Sequence, residues 1–382
     1  MEKILFVTND FGPRAGGIET FIVGLIERLP KNSVLVYACA QHGSESYDGA
    51  WLENFGVKVI RDRARILLPT PRVARAIRQI VTETGISIGV FGAAAPLGLL
   101  APSLRASGVK HIVALTHGHE VWWAKVFPFS LALSRISKNV DVMTYLGDFT
   151  QGKISIPLNS VSKNSMQKLA PGIDTSHFAP DETSLELRKE LGLADAKVIV
   201  SVGRLVHRKG QDRLIQALPT IRKKIPNAHL LLIGEGPYRR KLEKLARKEG
   251  IENAITFLGR VSYSELPRYM CVGDVFAMPC RSRFGGLEVE GLGIVYLEAS
   301  SCQLPVVVGK SGGAPDAVLE GKTGVTVDGE NLLVISEAII DLLSDSKKRQ
   351  EMGAAGREWI INEWSWEKWA RVFREILKLS ND

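Results

Sequence analysis

The sequence predicts an α/β protein made of two doubly wound parallel-sheet domains that face each other across a cleft. Three observations predict it. Short apolar runs alternate with longer amphipathic stretches, which is the pattern of βαβ units. The alternation breaks once at a stretch of turn residues and then restarts. The length of 382 residues suffices for two domains with a core each.

In the first half, strands are expected at Lys3–Thr8, Ser33–Ala38, Val57–Ile60, Ser87–Phe91, His111–Leu115 and Asp141–Thr144, with helical periodicity between them, as at Ile18–Leu29 and Arg72–Thr82. The second half restarts at Lys197–Val202 and continues through Leu230–Ile233, Ile255–Leu258, Val275–Met278 and Pro305–Val308. Between them Leu169–Pro180 carries Pro171, Gly172 and Pro180 without apolar period and reads as an interdomain linker. The expected division is 1–169 and 170–362, two Rossmann-like domains. The terminal segment 363–382 is strongly helical, and its Trp364, Trp366 and Trp369 demand burial.

Composition narrows the class. Hydrophobic content of 45% and charged content of 24% exclude a disordered or fibrous chain. The four cysteines, Cys39, Cys271, Cys280 and Cys302, are scattered and form no C-x-x-C pair. This spacing fits neither a disulfide framework nor a zinc site and points to a reducing compartment. Glu2 and Lys3 lead straight into a short strand, unlike a secretory signal. Gly89–Leu104 is the most apolar stretch, but Pro96 and Pro102 break it short of the ~20 residues that span a bilayer. A cytosolic protein, or one attached to a membrane surface, is expected. The net charge of +8 suits nucleic acid, anionic lipid, a phosphate-bearing substrate or simple solubility, and does not choose among them.

Ligands of doubly wound sheets sit at the carboxyl ends of strands, so the loops there carry the functional reading. After the first strand, Asn9-Asp10-Phe11-Gly12-Pro13-Arg14-Ala15-Gly16-Gly17 opens into a helix, and Gly16 and Gly17 let backbone N–H groups approach a phosphate. After Lys197–Val202, Arg204 and Lys209 bracket a loop, and a guanidinium with an ammonium can neutralise a leaving diphosphate. The stretch Ser282–Ala299 places Glu290 in a glycine-rich loop and Glu298 about one turn inside the following helix. The free N–H groups of Gly293, Ile294 and Val295 form an anion site at that helix start. Thr116-His117-Gly118-His119-Glu120 lacks the H-E-x-x-H spacing of a zinc site, and the chain has no Asp-x-Asp pair for a nucleotide-bound cation. No metal is expected. A histidine that lines the cleft and touches a sugar is.

Glu290, seven intervening residues and Glu298 resemble the signature of the retaining glycosyltransferases of family four, which have the two-Rossmann-domain GT-B fold. Gly203-Arg204-Leu205 with Lys209-Gly210, Gly234-Glu235-Gly236-Pro237, Gly312-Gly313-Ala314-Pro315-Asp316, Gly16-Gly17-Ile18-Glu19 and His117-Gly118-x-Glu120 fall in that family's order. Thr8–Phe11, Thr116–Trp123 and Tyr145-Leu146-Gly147 are most similar to actinobacterial phosphatidylinositol-mannoside mannosyltransferases. The resemblance implies GDP-mannose as donor, a mannosylated phosphatidylinositol as acceptor, and no essential metal or other cofactor. It also implies residue roles: Arg204 and Lys209 on the diphosphate, Glu298 on the ribose, Glu290 on the mannose, and Arg260 and Val261 at the base. His117 would meet the transferred sugar, Asp10 and His119 the acceptor, and the terminal helix would cross back onto the first domain. The basic lead-in Arg281–Gly286, where many relatives are more acidic, departs from the pattern.

A lipid acceptor also has a physical basis in the residues. Arg61, Arg63, Arg65, Arg72, Arg75 and Arg78 surround Ile66-Leu67-Leu68-Pro69, and Trp122-Trp123 with Phe127-Pro128-Phe129 adds aromatic surface. Basic residues interleaved with apolar ones suit peripheral attachment to an anionic membrane surface, here the inner face of the plasma membrane. No nucleic-acid partner is expected. Three rival readings stay open: a glycosyltransferase of the same family with a different nucleotide sugar or acceptor, a sugar-nucleotide epimerase on the same fold, and a non-catalytic basic module that binds membrane or nucleic acid.

Overall fold

The computed structural model describes residues 2–14 and 16–379. Met1, Ala15 of the first glycine loop, and the last three residues of the expected terminal helix lie outside the described residues. The chain divides into two units, 1–172 with 366–382, and 173–365.

The first unit holds a seven-stranded parallel sheet. Its strands are β1 (Ile4–Thr8), β2 (Val34–Ala38), β3 (Lys58–Arg61), β4 (Ile88–Phe91), β5 (His111–Ala114), β6 (Val142–Tyr145) and β7 (Met166–Lys168), in the order β3-β2-β1-β4-β5-β6-β7. Every residue of β1 is buried, as a central strand covered on both faces must be. Ile4 registers with Val34 on one side and Ile88 on the other. The order reverses direction between β1 and β4, the switch point where such sheets open a crevice at their carboxyl edge.

The second unit repeats the plan with β8 (Lys197–Val202), β9 (Ala228–Ile233), β10 (Ile255–Gly259), β11 (Val275–Met278), β12 (Val306–Gly309) and β13 (Gly324–Val327). Their order is β10-β9-β8-β11-β12-β13, all parallel, with the switch between β8 and β11. A core including Ile199, Leu214, Leu230, Leu232, Val275 and Ile339 fills the space between this sheet and its helices.

Two strands escaped the sequence reading. β7 is three residues, Met-Gln-Lys, with too little apolar period to register, and β13 opens on a glycine. The expected linker is no loose tether: Leu169, Ala170, Ile173 and Phe178 are all at most 2% exposed. Its polar backbone is satisfied by packing partners, since Phe178 O accepts from Ser301 Oγ and from Arg357 Nη1. The division therefore falls after Gly172, not after Leu169. At the other end, helix Ser346–Glu363 stops, Trp364 N–H bonds Ile360 O, and helix Trp366–Ile376 begins anew in the first unit. Trp364 thus stays with the second unit, and the returning helix begins at 366 rather than 363.

Candidate functional site: a cation-lined carboxyl edge

In the second unit, the residues singled out from sequence sit on loops at one carboxyl edge. Arg204 and Lys209 follow β8, Gly234–Pro237 follows β9, Arg260 and Val261 follow β10, and Glu290 lies between β11 and the helix Ile294–Ser301. The loop after β12 closes on this segment. Gly313 N–H donates to Glu290 O (2.9 Å), and the backbone N–H of Glu290 donates to Ser311 Oγ (3.3 Å). Gly312 has φ of 57°, and a Cβ there would stand 2.1 Å from Glu290 O, so only glycine lets the two loops meet.

Glu290 itself is buried, at 8% exposure. Arg208 Nη1 donates to its Oε2, and Lys209 Nζ lies 2.9 Å from the same oxygen. Burial works to raise its carboxyl pKa, but the charges of Lys209 and Arg208 outweigh that and hold it below the ordinary glutamate range. It is an anion clamped by two cations.

Sequence reasoning had paired Lys209 with Arg204 and missed Arg208. The short 3-10 turn His207–Lys209 explains the difference, because it turns Arg208 and Lys209 together toward Glu290. Arg204 is exposed, and its guanidinium has no hydrogen bond or ion pair among the described residues. Arg208 follows a β-strand in the same basic loop, and that position was the one available signal for it. The basic lead-in also resolves: Arg281 is buried and bound twice to Asp212, at 2.7 and 3.1 Å, so it is a structural cation.

Glu298 is partly accessible, and its carboxylate takes no hydrogen bond or ion pair among the described residues. Burial in the surrounding protein pushes its pKa up to about 7, while the positive charge of Lys209 works the other way. Lys209 therefore acts on both acids of the signature. At the start of the helix Ile294–Ser301, Gly293 caps in the left-handed conformation and no side chain caps the free N–H groups. Cation, free amides and an unpartnered carboxylate are what a nucleoside diphosphate requires of a protein.

In the first unit, Gly16 and Gly17 open the helix Gly17–Ile26 without a side-chain cap, and a Cβ on Gly17 would meet nothing within 4 Å. Asp10 is held by Arg14 Nη2 at 3.3 Å, and Arg14 Nε also reaches the buried Glu19 at 3.2 Å. A cavity of about 920 Å³ at this edge is lined by Asn9, Arg14, Gln41, His42, Arg65 and Ile66 among others. His117 Nε2 lies 2.5 Å from Gly92 O, a carbonyl that can only accept. The proton is thus on Nε2, and burial depresses the pKa, which leaves Nδ1 as an acceptor. His119 Nε2 contacts Glu120 Oε1 at 3.2 Å, and the fully buried Glu120 holds the loop by accepting from His117 N–H at 3.0 Å.

The basic segment divides. Arg61 is spent on Asp48 and on the carbonyls of Phe11, Gly12 and Cys39, and Arg72 is bound to Asp62. Arg63, Arg65, Arg75 and Arg78 stay exposed, with Ile66 at 64% and Leu68 at 52% exposure, while Leu67 is core. Phe127 is 75% exposed, whereas Trp122, Trp123 and Phe129 pack against one another at 4.8 to 5.5 Å. Among the described residues no helix is long and apolar enough to cross a membrane, and no three His, Cys, Asp or Glu side chains cluster as metal ligands.

Solved structures share this architecture from end to end. Anabaena Alr3699/HepE in complex with UDP superposes with a TM-score of 0.82 over 98% of this chain and 99% of its own, at 19% identity. Sucrose-phosphate synthase from Thermosynechococcus elongatus gives 0.78 with full coverage of both, at 21% identity. A family model for glycosyl transferases group 1 matches residues 184–359, the span that carries the Glu290 cluster. Fold and loops together define a glycosyltransferase of the GT-B class.

Curated relatives narrow the class. A GDP-mannose-dependent alpha-(1-6)-phosphatidylinositol monomannoside mannosyltransferase from Mycolicibacterium smegmatis is 43% identical over 98% of both chains. One from Mycobacterium tuberculosis is 41% identical over 99% of this chain and 98% of its own. A third, from Corynebacterium glutamicum, named for a monoacylated acceptor, is 40% identical over 98% of both chains. The chain belongs to this family of phosphatidylinositol mannoside mannosyltransferases.

Proposed function

We propose that the protein transfers mannose from GDP-mannose to a phosphatidylinositol mannoside with retention of configuration. Full-length similarity to mannosyltransferases of that specificity supports the substrates. The observation that carries the chemistry is the clamp of Lys209 and Arg208 on Glu290. Arg208 also lies 3.6 Å from Glu288, which Arg283 pairs with in turn, so three cations face two carboxylates and leave a positive excess for an arriving diphosphate. The diphosphate draws Lys209 and Arg208 onto its oxygens, with the exposed Arg204 as a third donor, and frees Glu290 toward the sugar. As the glycosidic bond lengthens, negative charge grows on the diphosphate where those cations are already placed. The acceptor hydroxyl attacks from the face the leaving group vacates and gives its proton to a phosphate oxygen. Gly293–Val295 amides hold phosphate, Glu298 the ribose, and Arg260 with Val261 the base. From the first unit, Gly16 and Gly17 serve the donor, Asp10 and His119 the acceptor, and His117 the sugar, its Nδ1 accepting from a hydroxyl. No metal takes part. Arg63, Arg65, Arg75 and Arg78 with Ile66 and Leu68 rest on anionic lipid, which places the enzyme peripherally at the inner face of the plasma membrane.

The direct test offers GDP-, UDP- and ADP-sugars with the acceptor in phosphatidylinositol vesicles. Label from GDP-mannose is expected to enter lipid, at a rate that falls as salt screens the basic segment. Transfer only from a UDP- or ADP-sugar rejects the donor, and a new sugar nucleotide formed without acceptor rejects transfer in favour of epimerisation. A rate indifferent to salt rejects the membrane contact.

Glu298 adds a pH prediction. Its folded pKa of about 7 stands above the ordinary 4.5, so its favourable contribution to stability is complete below 4.5 and lost as pH rises through 7. Ribose hydroxyls that donate to the carboxylate favour its ionised form and reverse the trend for binding. GDP is expected to bind about tenfold tighter at pH 8 than at pH 6 through this group. Calorimetric titration of E298Q should lack that component, and an unchanged pH profile would remove Glu298 from the nucleoside site.

A further inference from the structure

The turn His207–Lys209 faces two ways. Arg208 and Lys209 reach Glu290, while His207 points to a separate cavity of about 390 Å³ between the helices Gln211–Lys224 and Arg239–Lys248. None of the donor-site residues named above lines it. We propose that this cavity binds a small phosphate-bearing anion, a second ligand directly behind the donor turn.

Charge is the first argument. Arg213, Lys241, Lys244, Lys248 and Arg281 line the cavity. Arg281 is answered by Asp212, and Arg213 by Glu330. The three lysines have no carboxylate partner among the described residues, and Lys241 lies over the Tyr238 ring at 5.2 Å. Their spacing of three and then four residues puts all three on one face of the helix, along the cavity wall.

Unanswered donors are the second, independent argument. Arg281 Nη2 lies 2.7 Å from His207 Nε2, and a guanidinium only donates, so Nε2 is the acceptor. The neutral ring then carries its proton on Nδ1, which is buried and has no hydrogen-bond partner. Arg213 Nε is likewise buried without one. Arg281, at 3% exposure, has Nε 3.2 Å from Glu330 Oε1 but out of hydrogen-bond alignment. Exposed lysines on an amphipathic helix are ordinarily just solvated. Three buried N–H donors on residues lining the same recess are not ordinary, because buried polar groups are nearly always satisfied. A tetrahedral phosphate offers several acceptor oxygens at once, and the volume suits a diphosphate or a sugar phosphate.

The coupling to the donor turn rests on the proposed donor reading; the site itself does not. Inorganic pyrophosphate titrated into GDP-saturated protein probes it with the donor site filled. Saturable binding is expected, weakened at least tenfold in K244E/K248E, whose exposed positions keep the fold and leave GDP affinity unchanged. Phosphatidylinositol vesicles form the second arm. Lysine-dependent pyrophosphate binding assigns a free ligand, and lysine-dependent capture by vesicles without it assigns a lipid headgroup. If neither arm depends on Lys244 and Lys248, the proposal is overturned. Failure of GDP itself to bind overturns the donor reading instead and leaves the lysine comparison, run without GDP, to decide the cavity.

Discussion

Replacing Lys209 with alanine lowers kcat/KM for mannosyl transfer about a thousandfold, or ~4 kcal/mol of transition-state stabilisation. The side chain stands 2.9 Å from Glu290 Oε2 and its charge also bears on Glu298, so Lys209 acts on both acids of the signature. The fold tolerates the change because Arg208 still pairs with Glu290. Most of the loss should fall on kcat, since the charge that Lys209 meets grows as the diphosphate departs. K209R restores charge but not the compact ammonium, and should recover part of the rate. Steady-state kinetics on K209A, K209R and R208A measure this directly. A K209A enzyme with more than a tenth of normal kcat would show that the clamp on Glu290 is merely structural.

The two sheets were legible because parallel strands buried on both faces are written as short continuous apolar runs, as in Lys197–Val202 and Val275–Met278. β7 and β13 were not, since edge strands need fewer apolar residues. The site was legible as an address rather than as a set of contacts. Strand ends pointed to the right loops, and glycine-rich sequence marked where backbone closes on backbone, as Gly312 does against Glu290. Side-chain direction was the part left out. Arg204, Arg208 and Lys209 lie within six positions of one another, and only the 3-10 turn decides that Arg208 faces the acid. Arg281 shows the converse error, where a basic residue beside a functional loop proves to be a buried partner of Asp212.

The same turn explains why the two ligands of the second unit would communicate. His207, Arg208 and Lys209 share one short backbone segment closed by Gly210, so a shift that re-aims His207 must re-aim its neighbours. An anion that draws His207 Nδ1 toward the lysine wall would alter how far Arg208 and Lys209 lean on Glu290.

Substituting Trp366 by alanine should destabilise the first unit by about 3–5 kcal/mol, the range for emptying a buried large aromatic site. Trp366 begins the returning helix and is only 7% exposed. Its ring lies so close to Gly24 that a Cβ there would stand 2.2 Å from it, and Arg28 covers the ring at 4.5 Å. Farther along the helix, Phe373 meets Phe6 of the central strand at 6.1 Å, and His111 Nε2 donates to Ile376 O at 2.7 Å. Gly24 has no side chain to move inward, and Phe21, itself buried and 6.4 Å from the ring, is held in the core, so much of the cavity persists. For a unit of this size the melting temperature should fall by about 10 °C. Calorimetry of W366A and W366F separates volume from aromatic character, with the phenylalanine losing less. GDP affinity should change little, since all the residues assigned to the donor except Gly16 and Gly17 lie in the second unit. A W366A melting curve within about 2 °C of the parent would mean that the terminal helix does not anchor the first unit.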